Sequence, residues 1–202
     1  MEFNIQNTVH PEGKTTYNVA GEIRGTDKGK EIVMPGGHLD WWHSATGATD
    51  NAIGSSIIME AARIIQALRL KPLRIVRVAP WSGEEEGLPG SLAYVKQPFG
   101  TFEDPKAEFA TLDCYCNVDT GTGRPRGAGI CGPAEAAAIM RRVLDPFSDL
   151  GGMGANATAS RATGGTDSTS FNNAGLPGIG FQQDPMVPRF TKETMPGPVP
   201  AR

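Results

Sequence analysis

Residues 73–91 read LRIVRVAPWSGEEEGLPGS. A β-branched run, 73–81, predicts a strand, and it breaks at once into glycine and three consecutive glutamates. Three adjacent carboxylates repel one another, so an isolated triplet reads first as a solvated loop. Its position at the carboxyl end of a strand gives it a second reading, because in α/β proteins chemistry gathers in the loops that leave those ends.

The segments on either side follow the same pattern. Upstream, TYNVAGEI (16–23) alternates like a short strand, and KEIVMPGGHLD (30–40) is an apolar run expected to break at Pro35 and the glycines. DNAIGSSIIMEAARIIQALRL (50–70) has helical spacing. Ile53, Ile57, Ala61, Ile64 and Leu68 form its stripe, Ile58 and Ile65 widen it, and Pro72 closes it. Downstream, 91–95 suggests a short helix and EFATLDCYCNVD (108–119) a strand. PAEAAAIMRRVLDPF (133–147) reads as a helix with Pro133 and Glu135 at its start and Arg141 and Arg142 later; LPGIGFQQD (176–184) reads as a late strand. Strands alternating with helices predict an α/β fold, a central sheet with helices on both faces. The domain is expected to span 1–190. The Pro-rich stretch 191–202 lacks periodicity and reads as a disordered tail.

Composition narrows the function classes. The chain has 202 residues and a net charge of −3, with no basic stripe, which argues against a nucleic-acid partner. No apolar run approaches the ~20 residues of a membrane helix, and MEFNIQNTVHPEGK lacks the basic-then-apolar order of a signal peptide. The three cysteines, Cys114, Cys116 and Cys131, lack CxxC spacing, which argues against a disulfide framework or zinc knuckle. Cys114 and Cys116 alternate, so on a strand they share one face as small core residues.

Polar groups end three of the predicted strands: His38 and Asp40 one, Glu84 to Glu86 another, Asp119 a third, with Asp50 at the mouth of the long helix. One imidazole among carboxylates suits divalent metal, and one or two zinc ions there polarise a carbonyl and activate water. Singly, each residue has a plainer role. His38 serves as a loop histidine, Asp50 as an N-cap, Asp119 and Asp167 as turn or cap residues, and Trp41 and Trp42 as packing or a pocket wall. The convergence of four such segments on one sheet edge favours the metal.

GGHLDWWHSATGATDNAIG (36–54), WSGEEEGLPGS (81–91), NVDTGTGRPRG (117–127) and GGTDSTSFNNAGLPGIGF (164–181) stand in an order and spacing that resembles the zinc-dependent aminopeptidase and glutamate-carboxypeptidase-like metallopeptidase family, its bacterial carboxypeptidase Q-like members in particular. The resemblance covers roughly 16–184 and implies a zinc-exopeptidase α/β fold, with a mixed, mostly parallel central sheet with helices on both faces, and two Zn2+ ions. It implies that His38 and Asp119 bind one ion, Asp50 bridges, and Glu85 binds the second. Glu84 is then the general base on a metal-activated water, and Asp40 the carboxylate that orients His38. Trp42, His43 and Asp167 fall on the substrate side or behind the ligands, and Glu86, where relatives vary and often have glutamine, is structural or lies behind the ligands. The substrate implied is a short peptide, cleaved as by an aminopeptidase or dipeptidase, in a secreted or periplasmic setting.

Two positions depart from the family pattern. The family has a further zinc-ligand histidine near its C-terminus, whereas this chain's histidines are His10, His38 and His43. Thr191–Thr194 falls where that histidine belongs, with Glu193 a poor substitute, so the second zinc is expected to bind weakly. Ser168 stands where relatives often have histidine. The chain also begins almost at the first strand, and both ends read as truncated. A catalytically silent homologue is therefore the alternative, and a glutaminyl-cyclase-type zinc acyltransferase a third reading.

Overall fold

The computed structural model describes residues 2–184 apart from 11, 14, 120, 122, 153 and 162–164. The stretch 191–202 and Glu193 lie outside the described residues. The elements run β1 (Gly21–Ile23), β2 (Lys28–His38), α1 (Ile53–Ala67), β3 (Arg74–Trp81), α2 (Pro89–Lys96), β4 (Leu112–Val118), β5 (Pro125–Cys131), α3 (Ala134–Leu144), β6 (Ala155–Thr158), α4 (Ser168–Asn173) and β7 (Gly178–Gln183).

Among the described residues, seven strands form one sheet in the order β1-β3-β2-β4-β7-β5-β6. The central four are parallel, as are β5 and β6, while β1 on β3 and β5 on β7 are antiparallel. The mixed α/β class agrees with the alternation in the sequence. Helices lie on both faces. α2 and α4 pack Val95 and Phe171 onto Met34, Ala79, Trp81 and Tyr115. On the other face α3 sets Ala137 and Met140 against Ile130 and Ile179. Tyr115 and Phe171 stack with ring centroids 4.0 Å apart, joining α4 to β4. No helix among the described residues is long and apolar enough to cross a membrane.

Several sequence expectations need correction. The strand expected over 16–23 is confined to Gly21–Ile23, where β3 supplies a partner. β2 does not break at Pro35: its register with β4 continues through Pro35↔Cys116 and Gly36↔Asn117. The long helix has a different buried face. Gly54, Ser55 and Ile58 are buried, Ile53 and Ile65 half-buried, and Ile57, Ala61, Ile64 and Leu68 are exposed. β5, β6 and α4 had no counterpart in the sequence reading. Cys114 and Cys116 do share a face, and both are half-buried, packed against the core of Ala128, Ile130 and Ile179.

The start of α1 explains that rotation. Asn51 is buried, donates from Nδ2 to the Val118 carbonyl at 2.9 Å and accepts from the Gly54 amide at 3.1 Å. Ser55 Oγ donates to the His38 carbonyl at 2.7 Å. A Cβ on Gly54 would meet the Val118 oxygen at 2.2 Å, so only glycine lets the helix approach β4 this closely. These bonds hold the helix mouth, and Asp50 with it, over the ends of β2 and β4.

Candidate metal centre

His38 ends β2 and is fully buried. Its Nδ1 lies 3.1 Å from the Asp40 carbonyl and 3.5 Å from Asp40 Oδ1. Nε2 is thereby turned towards the loops, 3.0 Å from Asp50 Oδ1, 3.1 Å from Asp119 Oδ1 and 3.9 Å from Glu84 Oε2. Three elements therefore converge on one imidazole: the mouth of α1, the end of β4 and the loop after β3. The Asp50–Asn51 peptide is cis.

Asp40 ties that loop down. Its Oδ1 accepts the Glu84 amide at 3.1 Å and its Oδ2 the Glu85 amide at 3.0 Å. One carboxylate thus fixes the first two residues of the acidic triplet and stands beside His38. Glu84 points inward, its side chain 12% exposed, whereas Glu86 is exposed. Asp50, Glu84, Glu85, Asp119 and Thr166 line an open cavity of about 440 Å³.

Electrostatics at the site follow from one imidazole among acids. Burial penalises charged His38, but the hydrogen bond and charge of Asp119, with Glu84 and Asp40, overcome it and hold the ring at about 10. Burial pushes Glu84 up to about 7, aided by Asp119, with His38 opposing. Glu85 is raised too, by burial first and then by the Asp50 charge, with the Trp42 side chain pulling it down. Asp167 is completely buried at the start of α4, and neither carboxylate oxygen makes a well-formed hydrogen bond among the described residues. Burial raises it to about 7, and the neighbouring Ser91 hydroxyl offsets this only in part.

The donor set suits a cation. Among the described residues His38, Glu84 and Asp119 each offer a donor atom within 4.8 Å of the others. Zinc bound at ~2.1 Å by nitrogen and oxygen in a tetrahedron sets its donors about 3.4 Å apart. The separations of 3.0, 3.1 and 3.9 Å around His38 Nε2 bracket that edge. A proton on His38 meets the carboxylates where an ion would.

The structure thus brings together His38, Asp40, Asp50, Glu84 and Asp119, with Glu85 on the same cavity. Trp42 reaches Glu85 although it is 58% exposed, and Asp167 is close enough to raise Glu84. His43 is exposed and, among the described residues, stands outside the His38 donor cluster. The sequence reading passed over Asn51 and Ser55, whose side chains hold the helix mouth in place. The only signal for Asn51 is the TDNAIG stretch (49–54), and no motif marks Ser55, which follows it.

The sequence profile of Peptidase family M28 matches residues 18–194. The chain belongs to peptidase family M28. It is 34% identical over 176 residues to carboxypeptidase Q of Xenopus laevis, covering 87% of this chain and 35% of that protein. It is 30% identical over 171 residues to leupeptin-inactivating enzyme 1 of Streptomyces exfoliatus, covering 84% and 36%. The M28 chain therefore spans about a third of the length of these curated relatives. Among solved structures, the peptidase M28 precursor of Shewanella amazonensis superposes with a TM-score of 0.71 at 32% identity, covering 84% of this chain and 36% of that one. The Bacillus subtilis zinc aminopeptidase BSAP superposes with a TM-score of 0.63 at 21% identity, covering 85% and 41%, a likeness of fold alone.

Asp40 offers a direct test of how the loop supports the centre. Asp40→Asn keeps the shape but sets an amide NH2 against backbone N–H groups and removes the charge facing His38. Metal affinity, measured by competition with a chelator, is expected to fall about 10–100-fold. An unchanged affinity would mean that Asp40 serves the loop and not the metal.

Proposed function

We propose that this M28 chain is a zinc-dependent exopeptidase unit acting on short peptides. The observation that carries the reading is the buried His38 ring with Asp50, Asp119 and Glu84 at 3.0–3.9 Å from one nitrogen. His38, Asp119 and Asp50 would hold zinc, with Glu85 the further donor on the Asp50 side. When bound, zinc supplies Lewis acidity to a peptide carbonyl and lowers the pKa of water. The chain's own residues do the rest. Asp40 orients His38 and the 84–85 amides, and α1 holds Asp50 in reach. Glu84, half-buried and raised towards neutrality, accepts a proton at its carboxylate and passes it to the departing amine.

A second reading rests on the Asp50–Glu85 side, where no second imidazole stands among the described residues. An ion there would have oxygen donors only, so a metal-binding homologue without turnover is the alternative.

Zinc content and hydrolysis of aminoacyl and dipeptide substrates separate these readings. The exopeptidase should retain zinc at the His38 centre and release free amino acids. Zinc-loaded protein that leaves a broad peptide panel intact would select the silent homologue. Cyclisation of N-terminal glutamine peptides without hydrolysis would instead select an acyltransferase.

A further inference from the structure

Cys114 and Cys116 take no part in the His38 cluster. They lie two apart on β4, on the face towards α1 and α3, with their sulfurs 3.8 Å apart and both side chains half-buried. Cys116 opens into an apolar groove of about 510 Å³ whose walls include Ile57 and Ala61 of α1 and Phe181 of β7. Cys131, on β5, shares no contact with either sulfur among the described residues.

The backbone decides what such a pair can do. Residues two apart on a strand have Cα atoms about 6.6–6.8 Å apart, the upper limit for a disulfide, and their Cβ vectors run parallel. Closing an S–S bond would require bending a strand that is paired on both sides, to β2 and β7. Chelation requires no such bend. An ion bound to sulfur at ~2.3 Å with tetrahedral angles leaves about 3.8 Å between the sulfurs, the distance observed.

We propose that Cys114 and Cys116 form a bidentate site for a soft, thiophilic divalent cation of the zinc–cadmium class, distinct from the His38 centre. Thiolate pairs select such ions, whereas the carboxylate-rich cluster at the sheet edge is harder. Binding forms two metal–sulfur bonds and releases two thiol protons to solvent, and water completes the coordination through the groove. The two thiols are in direct contact. The hydrogen bond from Cys116 holds the Cys114 thiol below its ordinary value, and the same contact, with burial, pushes Cys116 well up. The inference is independent of the peptidase reading, but it bears on zinc counts, since saturating zinc should load one further equivalent.

Cadmium titration of the chelator-stripped chain under a phosphine reductant provides the test, read by the thiolate-to-cadmium charge-transfer band in the ultraviolet. That band reports sulfur ligation alone, so loss of peptidase activity and loss of this site are distinguishable. The band should saturate at one equivalent in the native chain and in Cys131→Ser, and disappear in Cys114→Ser and Cys116→Ser. Absence of the band in the native chain, its survival in Cys114→Ser, or its loss in Cys131→Ser would overturn the site. Should the serine variants fail to fold by circular dichroism, an aryl arsenoxide replaces them. It condenses with two neighbouring thiols, forming two As–S bonds and releasing one water. Mass spectrometry of the native protein should place one adduct across Cys114 and Cys116, and an unmodified pair would refute the proposal.

Discussion

Glu84→Gln is expected to lower kcat/KM for dipeptide hydrolysis by about 10²–10⁴-fold while leaving zinc bound. Glutamine preserves shape and can still receive hydrogen bonds, but it cannot accept a proton. The carboxylate it replaces is well placed for that task. Its side chain is 12% exposed and lies 3.9 Å from His38 Nε2, and its backbone amide is fixed by Asp40. Burial and the charge of Asp119 keep it near neutrality, where a base works best. The result to watch is the metal. His38, Glu84 and Asp119 form a compact donor set, so Glu84 is also geometrically able to ligate. Loss of zinc together with activity would make Glu84 a ligand and move the base elsewhere, with Glu85 next in line. Loss of turnover with zinc intact keeps the roles as proposed.

Much of this site was legible because three apolar runs each end in an acid or imidazole, and parallel strands bring such ends to one edge. His38, Glu84 and Asp119 follow from that rule, and Asp50 from its place at the mouth of a strongly periodic helix. The helix face was not legible. Periodicity marked two adjacent rows on α1, and the close approach of Gly54 to the Val118 carbonyl selects the row of Ile58 and Ile65. The sequence conceals β5 for another reason. Pro125–Cys131 is rich in glycine and begins with proline and arginine, a poor strand by propensity. It is held by antiparallel pairing with β7, some fifty residues away, which no local pattern reports. Asp167 likewise reads from the sequence as a turn or cap residue. In the fold it begins α4 without making a capping bond, and its carboxyl is enclosed instead.

That enclosure has a measurable consequence. In metal-free protein, stability should fall between about pH 4.5 and pH 6.5, and Asp167→Asn should remove a drop on the order of 2–3 kcal/mol. The sign follows from proton counting. Asp167 has an ordinary value of 3.8 and is raised to about 7 in the fold, so across that interval the folded chain keeps a proton that the unfolded chain has released. A state that holds the extra proton loses ground as protons become scarce, so stability declines as pH rises and the full penalty is present above about 7. Glu84, raised from 4.5 to about 7, acts in the same direction, so part of the slope should survive in the variant. His38 does not interfere below about 6.5, because its folded value is raised from 6.5 to about 10 and its contribution is lost only above that interval. Asparagine fits the same space, carries no charge and can bond the Ser91 hydroxyl, so the variant should be more stable than the native chain at neutral pH. Urea midpoints in chelator at the two pH values give the comparison. An unchanged slope in Asp167→Asn would mean that this carboxyl finds solvent or a partner in solution, and that the penalty belongs to Glu84.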